Sequence, residues 1–170
     1  MASGPLARIA RLQGMDAETW ERHANPWSGW SRVPVVPLVC AVLYWRDGLG
    51  GWLYALLAAL ALWTWVNPRA FARPASTKAW MSKAVMGERV WLNRAVIPVP
   101  QHYTRAMPFI LGFTLAGLPF IAIGLWTEQA WPLVMGVTLS MVAKFWFLDR
   151  MVWLYDEMSA DHPIYAAWLR

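Results

Sequence analysis

Apolar residues along this chain gather in long runs with polar, Pro-rich breaks between them. The runs span Val33–Trp45, Trp52–Val66, Met107–Trp126 and Trp131–Leu148. The last two hold 20 and 18 residues, enough to cross a hydrocarbon core of about 30 Å at about 1.5 Å per residue. The first two hold 13 and 15 residues. They are marginal spans that would need flanking Trp27, Trp30 and Tyr44, or a locally thinned bilayer. The Gly-rich "RDGLGG" at 46–51 turns the first pair into a hairpin, and "TEQA" at 127–130 does the same for the second.

Shorter periodic stretches fill the gaps. Asp16 to His23 reads as a short helix with Asp16 as N-cap, ended by Asn25-Pro26 because the residue before proline avoids the helical region. In "STKAWMSKAVMGERVWLNR", residues 76–94, one arc gathers Trp80, Met81, Ala84, Val85, Trp91 and Leu92, while Lys78, Lys83, Arg89 and Arg94 fall outside it. That pattern predicts an amphipathic helix lying in the membrane interface, with Gly87 weakening it modestly. The last span runs on as helix through "KFWFLDRMVWLYDEM" without a breaker. The predicted fold is therefore all-α integral membrane: four transmembrane helices as two hairpins, an interfacial helix between them, and a helical C-terminal extension. One membrane domain is expected, with an amphipathic tail (1–32), a first hairpin (33–66), an interfacial segment (67–106), a second hairpin (107–148) and a helical tail (149–170). A re-entrant first hairpin that dips in without crossing is the alternative topology.

Composition sharpens this picture. Of 170 residues, 58% are apolar and only 15% charged, against roughly 25% charged in an ordinary soluble domain. The 14 tryptophans suit the headgroup level, where an apolar ring and a polar N–H both find partners. The net charge of +5 flanks the apolar runs and forms no stripe interleaved with stacking aromatics, which argues against a nucleic-acid partner. Arginine and lysine gather before the first run (Arg8, Arg11, Arg22, Arg32), between the hairpins and after the last run, while the two turns hold only Arg46. The positive-inside rule then puts both termini and the central stretch in the cytoplasm of a plasma (inner) membrane protein.

The polar chemistry falls on that same side. Glu88 sits near the middle of an otherwise apolar arc, a costly place for a carboxylate that is not paired, neutralised or metal-bound. Lys144 is the only charge inside the last span; it either snorkels to the interface or meets a carboxylate. His23, Glu88 and Asp149 are the candidate catalytic residues. Asn25, Arg32, Arg69, Arg89, Arg150 and Lys144 are candidates for holding an anionic ligand, the arginines by bidentate contacts. No pair of metal ligands shares a helix face; a metal, if bound, would draw on His23, His102, Glu88, Asp149 and Asp156. The sequence names no cofactor. It holds no G-x-S-x-G, P-loop or dinucleotide fingerprint, and Cys40, the only cysteine, lies in an apolar run away from the histidines.

"HANPWSGWSR", "VNPRAF", "SKAVMGERVWLNR" and "KFWFLDRMVWLYDEM", taken together, resemble a family of small bacterial membrane proteins of unknown function. The resemblance implies a compact multi-spanning helical protein and carries over no activity. Three functional classes stay open at this point. One is an enzyme or binder acting on an anionic lipid-like or cofactor ligand. The others are an accessory subunit docking on a membrane-protein partner, and an oligomeric small transporter with Lys144 and Asp149 lining its path.

Overall fold

A computed structural model describes residues 14–170; Arg8, Arg11 and the rest of 1–13 lie outside the described residues. The chain forms α1 (Ala17–His23), α2 (Pro26–Arg32), α3 (Val35–Tyr44), α4 (Arg46–Leu49), α5 (Trp52–Ala70), α6 (Trp80–Leu92), α7 (Gln101–Thr127), α8 (Ala130–Asp161) and α9 (Pro163–Ala166). The fold is all-α, with no strand among the described residues.

The helix starts follow the local chemistry. Asp16 caps α1 by accepting from the Thr19 N–H at 2.7 Å. Asn25 caps α2, its side-chain oxygen accepting from the Trp27 N–H at 3.0 Å, with Pro26 in the first turn, where its missing N–H costs nothing. Asn25 also donates to the Ala72 carbonyl at 3.0 Å and so ties α2 to the segment after α5.

Two helices, α7 and α8, are long and apolar enough to cross a membrane, with 27 and 32 residues. Only 17% and 28% of their most apolar windows is buried, whereas the core helix of a soluble globule would be mostly covered. They form the most extensive helix pair of the fold. Gly117, Gly124 and Gly136 allow the close approach: a Cβ at Gly136 would stand 2.6 Å from the Gly117 carbonyl oxygen. Glu128 turns the chain between α7 and α8 in the left-handed region, at φ 58°.

The expectation of four spanning helices is corrected: among the described residues only two are long and apolar enough to span. Helix α3 has 10 residues, about 15 Å, because Pro34 delays its start and Trp45 ends it. Helix α5 has 19 residues, but its final turns hold Asn67, Pro68 and Arg69, and the first two are buried in polar packing. The hairpin itself is present, and its tip is fastened to the turn of the long pair. Arg46 meets the Glu128 carboxylate at 2.7 Å and donates to the Leu125 carbonyl at 3.0 Å. Tyr44 donates to the Glu128 carbonyl at 2.9 Å. Both turns thus lie at one end of the molecule.

Helix α6 also departs from expectation. Eight of its 13 residues are buried, and the arc read as facing lipid packs on the second half of α8, where Met81 and Ala84 meet Leu148, and Met86 and Val90 meet Met151 and Leu154. Gly87 is the closest point: a Cβ there would overlap the Met151 carbonyl. Its role is to admit a neighbouring backbone rather than to weaken the helix. The helical C-terminal extension is present, since α8 runs unbroken to Asp161.

Candidate functional site

The tightest polar network joins α1, α2 and α5. His23, Ser28 and Asn67 are 4%, 0% and 0% exposed. Arg32 donates through Nη1 to His23 Nε2 at 3.1 Å. An arginine can only donate, so Nε2 must be the accepting nitrogen and the ring proton sits on Nδ1. Nδ1–H then donates to Ser28 Oγ at 2.7 Å. Ser28 passes its own proton toward Asn67 Oδ1 at 2.8 Å, and Asn67 Nδ2 donates to Ser31 Oγ at 2.8 Å. Every bond in this chain has one allowed direction. Burial, reinforced by the Arg32 and Lys144 charges, pushes the His23 pKa down to about 3, so the ring is neutral near neutral pH.

Arg32 leads from this network to Glu88. The carboxylate of Glu88, on α6, lies within electrostatic reach of Arg32 on α2 and Lys144 on α8. No ion pair within 4.0 Å and no hydrogen bond joins the three groups. Glu88 is half-buried, and removal of water from around its carboxyl, the largest influence, raises its pKa; Arg32 and Lys144 oppose that rise. Burial likewise lowers the Arg32 pKa, with Glu88 acting the other way. Two cations and one carboxylate on three helices therefore influence one another electrostatically without a direct contact.

An aromatic wall adjoins these charges along the chain. Trp30, two residues before Arg32, stacks on Trp80 with ring centroids 5.8 Å apart, and Phe145, next to Lys144, lies 6.4 Å from Trp30.

His23, Arg32, Glu88 and Lys144 are thus brought together, and the other candidates are engaged elsewhere. Asp149 pairs with Arg150 at 2.7 Å, and the Arg150 guanidinium lies 5.5 Å from the Trp153 ring. Asn25 is a cap. Arg69 donates to the Trp65 carbonyl at 2.8 Å and lies over the Trp65 ring. Arg89 stacks 4.0 Å over Trp168 and feels Glu21, which pairs with Arg73 at 3.2 Å and Arg170 at 3.0 Å. The proposed metal ligands separate in the same way. Asp156 pairs with Lys83 at 2.8 Å, and His102 stands 3.5 Å from Glu157. Among the described residues no three His, Cys, Asp or Glu side chains gather as a metal ion would need. Sequence reasoning missed Ser28, Ser31 and Asn67, although the first two lie in "HANPWSGWSR" and the third in "VNPRAF", two of the stretches that carried the resemblance. No curated protein and no solved structure matches the chain. A family model covers residues 6–168, nearly the whole sequence and all five helices of the site, and the chain belongs to that family of unknown function, DUF6653.

Proposed function

We propose that this is a small integral membrane protein, with its termini in the cytoplasm, that binds the phosphate of an anionic lipid between Arg32 and Lys144. The observation that carries the reading is that Arg32, Lys144 and Glu88 act on one another's charge without pairing. Desolvated charges of opposite sign normally pair directly, because mutual attraction offsets the loss of water. Among the described residues the two cations meet no hydrogen-bond acceptor except His23, which Arg32 contacts, and a phosphate oxygen would satisfy their remaining donors by charge-assisted bonds. His23 acts as a positioning residue: its neutral ring holds one arm of the guanidinium and leaves the rest of the fork for a ligand.

A lipid is favoured over a soluble ligand by place. Lys144 stands fourteen residues into α8, about 21 Å from the turn at Glu128, so in a core of about 30 Å the site lies below the cytoplasmic boundary. The Trp30–Trp80 stack and Phe145 supply apolar surface beside it, as an amphiphile requires.

The test is lipid retention. Protein extracted in mild detergent and examined by native mass spectrometry should carry an anionic phospholipid in stoichiometric amount. Arg32→Gln and Lys144→Gln should each weaken retention about tenfold or more, the scale of one charged hydrogen bond. Equal retention by wild type and both variants overturns the reading.

A further inference from the structure

We propose that Arg73, Arg89 and Arg170 form a second anion site, independent of Arg32 and Lys144, that takes a phosphate monoester carrying two negative charges. Direct contacts build it. Arg73 Nη1 and Arg170 Nη2 stand 3.2 and 3.0 Å from the same oxygen, Glu21 Oε2. The Arg89 guanidinium lies 4.0 Å over the Trp168 ring. One hydroxyl joins the two halves, since Thr77 Oγ1 donates to the Trp168 carbonyl at 2.9 Å and accepts from the Arg170 N–H at 3.0 Å. Three guanidiniums thus gather beside α1 from three separate stretches of the chain.

Charge and open donors name the ligand class. Like charges repel, and Glu21 offsets only one of the three. The excess of two positive charges matches a phosphate monoester, at about −1.5 to −2 near neutral pH, better than a phosphodiester with its single charge. Glu21 Oε2 is buried, yet neither arginine meets it in hydrogen-bond alignment, so their N–H forks remain for another acceptor. Arg89 donates no hydrogen bond to a described residue. Laid flat on an indole, it keeps its edge for in-plane contacts with phosphate oxygens. The Arg73 and Arg170 side chains are 51% and 43% exposed, so a ligand reaches them without opening the fold. The phosphate can belong to a lipid head group or to a soluble ester; the chemistry that recognises it is the same.

The test offers phosphatidic acid, a monoester, and phosphatidylglycerol, a diester, with the same acyl chains to detergent-purified full-length protein at pH 8, read by native mass spectrometry. Wild type should retain phosphatidic acid about tenfold better, the scale of one further charged hydrogen bond. Arg73→Gln and Arg170→Gln should each remove that preference, while Arg105→Gln, at an exposed cation on the first turn of α7, should keep it. Arg73→Lys and Arg170→Lys keep the charge beside Glu21 and lose the fork; they should lose part of the preference, and they remain informative if a glutamine variant fails to fold. Glycerol 3-phosphate is then added as competitor. Displacement of phosphatidic acid shows that the phosphate group suffices and admits soluble esters; retention against it assigns the site to the lipid. Equal retention of the two lipids by wild type overturns the proposal, as does a preference for phosphatidic acid that survives in Arg73→Gln and Arg170→Gln. A preference lost only in Arg32→Gln overturns this site and leaves the one between Arg32 and Lys144 standing.

Discussion

Arg32 Nη1 stands 3.1 Å from His23 Nε2, and this contact sets the proton positions of a whole buried chain. Because the guanidinium cannot accept, the His23 proton is forced onto Nδ1 and toward Ser28, and the Ser28 proton onto Asn67. The same contact links the network to the charges around Glu88, so the side chains that look structural and those that look functional share one arginine.

The Ser28–Asn67 bond should be worth more than its surface counterparts. Ser28→Ala leaves the His23 Nδ1–H and Asn67 Oδ1 without their partner in a buried region. The expected cost is about 1–3 kcal/mol for each stranded group, measured as loss of stability on denaturation in detergent. Ser159→Ala, at an exposed hydrogen bond on α8, should lie within about 0.5 kcal/mol of wild type. Equal effects at the two positions would mean that water reaches the network.

His23 should make the fold acid-sensitive. Its folded pKa is depressed to about 3 from an ordinary value of 6.5, so the unfolded chain takes up a proton that the folded chain refuses. The contribution is complete above about pH 6.5 and is lost as pH falls toward about 3, amounting to about 2 kcal/mol between pH 7 and pH 5. Glu88 works in the opposite sense: its raised pKa makes the folded state gain stability as pH falls toward the ordinary carboxylate range. The clean measurement is therefore thermal unfolding against pH in a Glu88→Gln background, with and without His23→Gln. The melting temperature should drop between pH 7 and pH 5 only where His23 is present; identical profiles would show that the ring is not held neutral.

Much of this architecture is legible in the residues, and what is hidden shares a cause. Asp16 and Asn25-Pro26 act locally, so their caps can be read from neighbours a few positions away. Glu88 is visible because it breaks a periodic apolar arc. Periodicity reports that a face is covered and not what covers it, so the apolar arc of α6 reads as lipid-facing when α8 lies against it. The same limit conceals Gly87, whose value depends on the Met151 backbone 64 residues on. Ser28 and Asn67 stay hidden because a single serine and a single asparagine carry no spacing signal until the fold sets them 2.8 Å apart. Composition alone reads the first hairpin as two spanning helices, whereas the 10 residues of α3 are too few to cross a hydrocarbon core by themselves.

Gly87 should be among the least replaceable positions on α6. A methyl group there collides with the Met151 backbone, which cannot swing aside as a side chain would, so Gly87→Ala must separate α6 from α8 and is expected to cost about 2–4 kcal/mol or to prevent folding. Gly112→Ala is the control on α7, where an added Cβ meets nothing within 4 Å; it should be neutral or stabilising by up to about 1 kcal/mol from higher helix propensity. Similar stabilities for the two variants, compared by unfolding in the same detergent, would show that the α6–α8 approach is looser than described.

The fastening of the two turns makes a topological prediction that the lengths of α3 and α5 alone would not. Arg46 and Tyr44 bind the turn at Glu128, so the tip of the first hairpin lies at the level where α7 gives way to α8. If α7 and α8 cross the membrane, that tip emerges on the far side with them, even though α3 covers only about half of a core of about 30 Å. In the orientation proposed above, α1, α2 and the buried polar network would fill the remaining depth, with His23 and Arg32 under the cytoplasmic boundary. Single cysteines at Asp47 and Gln129, in a Cys40→Ala background, should react with an impermeant maleimide from outside the cell. Cysteines at Glu18, Lys78 and Ser159 should react only after the membrane is opened. Labelling of Asp47 from the cytoplasm together with Gln129 from outside would separate the two turns and remove the lipid-level site with them.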